Sequence, residues 1–230
     1  VDFLLGGLAQ GLELLWRLDP QVMAIAWVSL RVSLAAVAVA GAPAVLLGLL
    51  VAQTSFPGKR AVVVTLNTLL ALPTVVVGLV VYGLLSRQGP LGFLDMLYTP
   101  GAMVLAQAVL AFPLVAALTV AAVSTLDQRV MPTALTLGAS RPQAVRAVLS
   151  EARFALLAAL AAGFGRVVTE VGAAIMVGGN IKGYTRTLTT AIALETAKGD
   201  FAQGMALGII LLVIALGVNL LAFRLQSRWS

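Results

Sequence analysis

The sequence predicts an all-α polytopic membrane protein with five main spanning helices, an N-terminal segment and a polar region outside the bilayer. Of its 230 residues, 60% are hydrophobic and 10% charged, whereas a soluble domain carries about a quarter charged residues and under half apolar ones. The charges are bunched, leaving uncharged runs at 32–58, 61–86, 96–126 and 201–223. Each run can cross a hydrocarbon core that needs about 20 residues of helix. The basic residues sit mostly at the ends of these runs, where membrane topology accounts for them.

Residues 3–18 are moderately apolar but carry Glu13 and Arg17. They read as an interfacial or partly inserted segment, with a sixth span as the alternative. The first span covers about 24–51, with Gly41, Pro43 and Gly48 inside it and Arg31 placed to snorkel towards the headgroups. Phe56-Pro57-Gly58 turns the chain into a second span at about 62–85. The segment 86–100 reads as a loop with a short helix, and a third span follows at about 101–124. A fourth covers about 154–177 and a fifth about 202–223. Pro73 and Pro113 fall inside spans two and three and predict kinks there. No internal duplication is visible, so residues 1–230 form a single membrane domain.

Several chemistries are excluded by residue type. The chain has no His and no Cys, so it holds no thiolate–imidazole metal site, no disulfide and no His-dependent triad. No GxxxxGK[ST] stretch occurs, so the chain cannot itself be a P-loop ATPase. The net charge of +6 would suggest nucleic acid in a soluble protein, but here topology explains it. Val1-Asp2-Phe3 lacks the basic region of a cleavable signal peptide.

Orientation follows from Lys and Arg in alternate segments. With the N-terminus outside, the inner segments hold Lys59, Arg60, Arg129, Arg141, Arg146, Arg153, Arg224 and Arg228, against Arg17, Arg87, Lys182, Arg186 and Lys198 outside. This bias puts 127–153 in the cytoplasm and 178–200 outside.

The stretch 127–153 differs in kind, with Asp127, Arg129, Arg141, Arg146, Glu151 and Arg153. A turn at Gly138-Ala139-Ser140 separates two short amphipathic pieces, and Pro142 suits a first helical position. Two short helices outside the bilayer fit this pattern, either as a lever on which a partner pushes or as a plain surface loop.

Pro132-Thr133-Ala134…Gly138…Val148 resembles the coupling motif of ATP-binding-cassette (ABC) importer permeases, which reads Glu-Ala-Ala, then Gly, then Ile-x-Leu-Pro. Ala134 and Gly138 match, Val148 replaces Ile, and Ser150 and Glu151 stand where Leu and Pro would be. The family's acidic residue is missing, so no salt bridge carries over from that position. Other stretches narrow the resemblance. Asn67-Thr-Leu-Leu-Ala-Leu-Pro73 with Gly78, Tyr82 and Gly89-Pro90, and Gly165-Arg166-Val-Val-Thr-Glu170-Val-Gly172-Ala173, look like spans of molybdate- and tungstate-type permeases. Gly178-Gly-Asn180-Ile-Lys-Gly183-Tyr-Thr-Arg186-Thr-Leu-Thr-Thr190, continuing to Glu195-Thr196, is closer to the tungstate branch. The resemblance covers about 25–223. It implies a type I ABC importer permease fold and a homodimer. It also implies two ATPase subunits that use the ATP, bound around Thr133, Ala134, Gly138, Ala139, Ser140 and Val148, and an extracytoplasmic tungstate-binding protein. This chain would bind no cofactor of its own.

Arg166 and Glu170 are four residues apart and can pair inside the membrane, as a structural clamp or as a polar hinge sensing the substrate dianion. A strong cation in the pathway would trap a divalent anion, which favours the clamp. Lys182, Thr185, Arg186, Thr189 and Thr190 supply cations and hydroxyls suited to a tetrahedral oxyanion or to the binding protein. Competing classes are a molybdate permease, a gradient-driven secondary transporter and, last, an intramembrane protease.

Overall fold

The computed structural model describes residues 2–17, 19–127 and 129–227, and Arg228 of the orientation argument lies outside them. Ten α-helices follow one another, with no strand among the described residues: α1 (Asp2–Trp16), α2 (Pro20–Gln53), α3 (Lys59–Leu70), α4 (Thr74–Leu85), α5 (Pro100–Ser124), α6 (Val130–Thr136), α7 (Arg141–Val168), α8 (Gly172–Gly178), α9 (Leu188–Ala197) and α10 (Phe201–Ser227). Four of them, α2, α5, α7 and α10, are long and apolar enough to cross a membrane, and the bent pair α3–α4 makes a fifth candidate.

Local chemistry sets the ends of these rods. The Asp19 carboxylate accepts the Gln21 and Val22 N–H groups at 2.9 and 3.0 Å, and Pro20 opens α2. At its other end Lys59 Nζ donates to the Ala52 and Thr54 carbonyls, placing a cation on the negative pole of the helix. The 34 residues of α2 measure about 51 Å at 1.5 Å per residue, well over the roughly 30 Å hydrocarbon core. Thr99 and Pro100 start α5 in the same manner, and Pro113 sits inside it without ending it.

Two expected spans are corrected. The segment 62–85 is not one rod: α3 and α4 meet at 98° across residues 71–73. Pro73 stands at the break, capping α4, rather than inside a helix. It offers no N–H and pushes Leu72 out of the helical region. The fourth span begins at Arg141 instead of about 154 and ends at Val168. The expected second short helix is therefore the first turns of α7, stitched to the core by Ala144, Val148 and Ala152, all buried. The segment 178–200 carries its own helix, α9, and α1 packs against the first turns of α10 through Gly7 and Gly11.

The core centres on α5, whose Ala102, Ala106, Ala111, Val115, Ala116 and Thr119 are buried. Its most extensive interface is with α2, through Ala36, Ala40, Ala44 and Gly48. Small residues bring the two backbones together, as is usual where apolar solvent supplies no drive for association. A Cβ on Gly48 would lie 2.5 Å from Thr119 Cβ and 2.9 Å from the Ala116 carbonyl oxygen. Gly48→Val is expected to lower stability by about 1–3 kcal/mol or more, measured as a reduced melting midpoint of the purified chain in detergent.

Candidate functional site

Two polar regions lie at opposite ends of the helix bundle. At one end α6 and α7 form an elbow. The Ala139 N–H donates to the Ala134 carbonyl and the Gly138 N–H to the Leu135 carbonyl, each at 3.0 Å. These two bonds close α6 as a Schellman turn with Gly138 at φ +90°. Ser140 then caps α7: the Gln143 carboxamide oxygen accepts its N–H at 2.7 Å and its hydroxyl at 3.0 Å. Pro142 is the second residue of α7.

Among the exposed polar residues of the elbow, Thr133, Thr136 and Ser140, two leucines also stand out, Leu135 and the 82% exposed Leu137. Val148 is not on that face. It is buried with Leu49 of α2, Val123 of α5 and Leu156 of α7, and Val130 and Met131 of α6 pack against this cluster. Through this one small apolar cluster the elbow is packed against three long helices, α2, α5 and α7.

The other region surrounds the break between α7 and α8. Arg166 Nη1 lies 3.1 Å from Glu170 Oε2, and the ends of the pair differ sharply: 36% of the Arg166 side chain is exposed and 3% of Glu170. Glu170 lies beyond the end of α7, so the two residues bridge the last turn of the helix to the break instead of sharing a continuous helix. Its other carboxylate oxygen accepts the Ala173 N–H at 3.1 Å, and the Thr189 hydroxyl donates to its main-chain carbonyl at 2.8 Å. The α3–α4 break adjoins it: a Cβ on Gly172 would lie 3.2 Å from Thr74 Oγ1, and one on Gly78 2.8 Å from Ala173 Cα. Thus α4 and α8, each starting just after a break, are packed as one unit.

The hydroxyls expected to face a ligand are turned inward. Thr185, Thr187, Thr189 and Thr190 are all buried. The Thr185 hydroxyl donates to the Gly178 carbonyl and accepts the Ile181 N–H, while Thr187 and Thr190 cap α9 reciprocally. Arg186 and Lys182 remain at the rim of a cavity. Arg186 donates through Nε to Asn180 Oδ1 at 3.2 Å and through Nη2 to the Asn180 carbonyl at 3.3 Å, and Asn180 Nδ2 in turn donates to the Thr190 carbonyl.

Other organising residues escaped the sequence reading. Ser29 of α2 accepts the Leu188 N–H at 2.7 Å in the core, tying α9 to α2. Ser29→Ala would leave that N–H unpaired and is expected to cost about 1–2 kcal/mol, read as a lower melting midpoint with assembly intact. Tyr98, at φ +62°, donates its N–H to the Val177 carbonyl at 2.8 Å and lays its ring on Gly179. The hydrogen bond with the Tyr82 hydroxyl, then desolvation, hold the Tyr98 phenol above its ordinary pKa. The paired glycines directly before Asn180 were the available signal for that residue, whereas nothing beside Tyr98 in the chain marked it. For Ser29 there was none.

A family model described as "binding-protein-dependent transport system inner membrane component" matches residues 44–229. This chain belongs to that family. It is therefore a multi-pass permease subunit of the prokaryotic cytoplasmic membrane, working with ATPase and substrate-binding partners. The permease is 40% identical to the tungstate uptake system permease protein of Peptoclostridium acidaminophilum, over 99% of this chain and 100% of that one. It is 42% identical to a probable anion ABC transporter permease protein of Haloferax volcanii, over 90% and 91% of the two chains. Its fold matches a chain of the MetNI methionine ABC transporter, solved in inward-facing conformations, with TM-score 0.69 at 17% identity, covering 95% of this chain and 98% of that one. The type I importer fold expected from the sequence is thus the fold observed.

Proposed function

We propose that this permease is the membrane-spanning subunit of a tungstate importer. The observation that carries the reading is the end-to-end similarity to a tungstate uptake permease. Two copies of the chain would enclose the pathway. Two ABC ATPase subunits would dock in the cytoplasm on the elbow face formed by Thr133, Ala134, Gly138, Ala139 and Ser140, with exposed Leu137 as its apolar centre and buried Val148 as the internal anchor. An extracytoplasmic binding protein would deliver the anion at the end that carries Lys182 and Arg186. Thr185, Thr189 and Thr190 would shape that end from within.

ATP would be used by the partner subunits, and this chain would hold no cofactor. Arg166 and Glu170 serve as the clamp across the α7–α8 break. With Glu170 neutralising it, Arg166 presents less net charge to a passing dianion, which suits a path that must release what it binds.

The test is ATP hydrolysis by the reconstituted complex with its binding protein, comparing tungstate with molybdate. Stimulation by tungstate at lower concentration than by molybdate is expected. Equal or reversed preference would move the substrate to the other dianion, and stimulation by neither would reject the reading.

A further inference from the structure

The end of the bundle opposite the elbow holds a cavity of about 550 Å³ between the start of α2, α9, the start of α10 and the loop before α9. Lys182, Arg186 and Lys198 line it together with Glu195, three cations against one carboxylate. Its floor is apolar, built from Ile25 and Val28 of α2 and Leu207 of α10. We propose that this cavity, which lies within one subunit, is a binding site for a tetrahedral oxyanion. The anion is either a free dianion such as tungstate or the phosphate of an anionic phospholipid. The free-anion source rests on the tungstate reading, whereas the lipid source does not.

The cations differ in how they are held. Arg186 is fixed before any ligand arrives, because two of its donors engage Asn180, which is itself tied to α9 through the Thr190 carbonyl. The loop reaches this shape by three left-handed residues, Gly179, Asn180 and Gly183, the residue types that adopt that conformation most readily. A guanidinium with five donors keeps three after binding Asn180. Lys182 is exposed and has no hydrogen bond or ion pair among the described residues, so its ammonium is available to a ligand. An apolar floor lowers the local dielectric and strengthens the attraction of both for an anion.

Glu195 gives the site its second property. It is 8% exposed, and both carboxylate oxygens accept from Lys198 Nζ, at 3.0 and 3.2 Å. The pair cancels one of the three cations, so the cavity attracts an anion without the full field that would retain it. A site on a transport route must let go.

The experiment uses the full chain, purified into nanodiscs. Tungstate binding is measured by equilibrium dialysis in discs of phosphatidylcholine alone, and retention of phosphatidylglycerol by native mass spectrometry after exchange from mixed discs. The Lys182→Gln/Arg186→Gln variant is expected to lose about tenfold or more in one of these two readouts, and the readout that moves names the source. Lys182→Gln alone disturbs no internal contact and is expected to show part of the loss. Glu195→Gln is expected to shift the same readout the other way, tightening binding. A structural defect would instead weaken it alongside the cation variants. The proposal is overturned if neither ligand binds the unaltered chain, if Lys182→Gln changes neither readout, or if Glu195→Gln weakens binding. Tungstate-stimulated ATP hydrolysis by the complex, with no ligand bound in the cavity, would reject the cavity and leave the importer reading intact. Retained phosphatidylglycerol without that stimulation would do the reverse.

Discussion

Gly138→Trp is expected to leave the permease inserted and folded while abolishing the link between ATP hydrolysis and transport. Apart from Gly138 and its two chain neighbours, nothing lies within 4 Å of the position a Cβ would take, so a side chain starts into open space. The effect comes from the backbone. Gly138 has φ +90°, and an L-residue forced into the left-handed region pays about 1–2 kcal/mol. The turn would relax by losing the Ala139–Ala134 and Gly138–Leu135 bonds that end α6, and the indole would stand beside Leu137 on the docking face. Gly138→Asn separates the two causes, because Asn tolerates the left-handed region and adds little bulk. It is expected to retain most of the coupling. The measurement is ATP hydrolysis and tungstate uptake in proteoliposomes, with insertion checked by melting in detergent. Unchanged uptake per ATP in Gly138→Trp would remove the elbow from the transmission path.

The elbow was readable because its signals are local: a Gly between two short amphipathic stretches, followed by Ser140 and Pro142. The spans were readable for a similar reason, since a gap between charges needs no knowledge of neighbours. What failed were the places where a distant segment decides. Pro73 in an apolar run signals either a kink or a full break. The break is settled by α8, which packs Ala173 against Gly78 and holds α4 at 98° to α3. Charges at Arg146, Glu151 and Arg153 suggested a helix lying outside the bilayer. The stripe Ala144, Val148, Ala152, Leu156, spaced by one helical turn and buried, was the contrary sign that α7 is continuous.

The candidate anion site was only half legible. Lys182 and Arg186 are near neighbours in sequence, and they line one cavity. Its remaining charges, Glu195 and Lys198, come from the far end of α9, and its floor from α2 and α10. The threonines misled because a hydroxyl in a Gly-rich loop serves a ligand or the loop itself equally well. Here the carbonyls of Gly178, Glu170 and Thr187 take them, since a buried turn must satisfy its own backbone. Ser29 and Leu188, 159 residues apart, mark a contact that no local pattern announces.

Arg166→Gln is expected to destabilise the permease by about 2 kcal/mol, and Glu170→Gln on the same chain is expected to recover part of the loss. Glu170 is the buried member, 3% exposed against 36% for its partner. Removing the arginine therefore strands a carboxylate with little beyond the Ala173 N–H to satisfy it. Breaking a fully buried pair from one side costs about 3–5 kcal/mol, and the exposure of Arg166 brings the figure down through solvent screening. Neutralising Glu170 removes the stranded charge, and a carboxamide oxygen still accepts the Ala173 N–H. Glu170→Gln alone should cost less, because a half-exposed guanidinium can turn towards water. The order expected in melting midpoint is thus unaltered chain, then Glu170→Gln, then the double variant, then Arg166→Gln. If Arg166 instead acted on the passing anion without clamping the break, melting would not change in Arg166→Gln, uptake would fall, and adding Glu170→Gln would not restore it. Recovery of stability in the double variant is the signature of two charges that answer to each other across the end of α7, at the level where the α3–α4 break also lies.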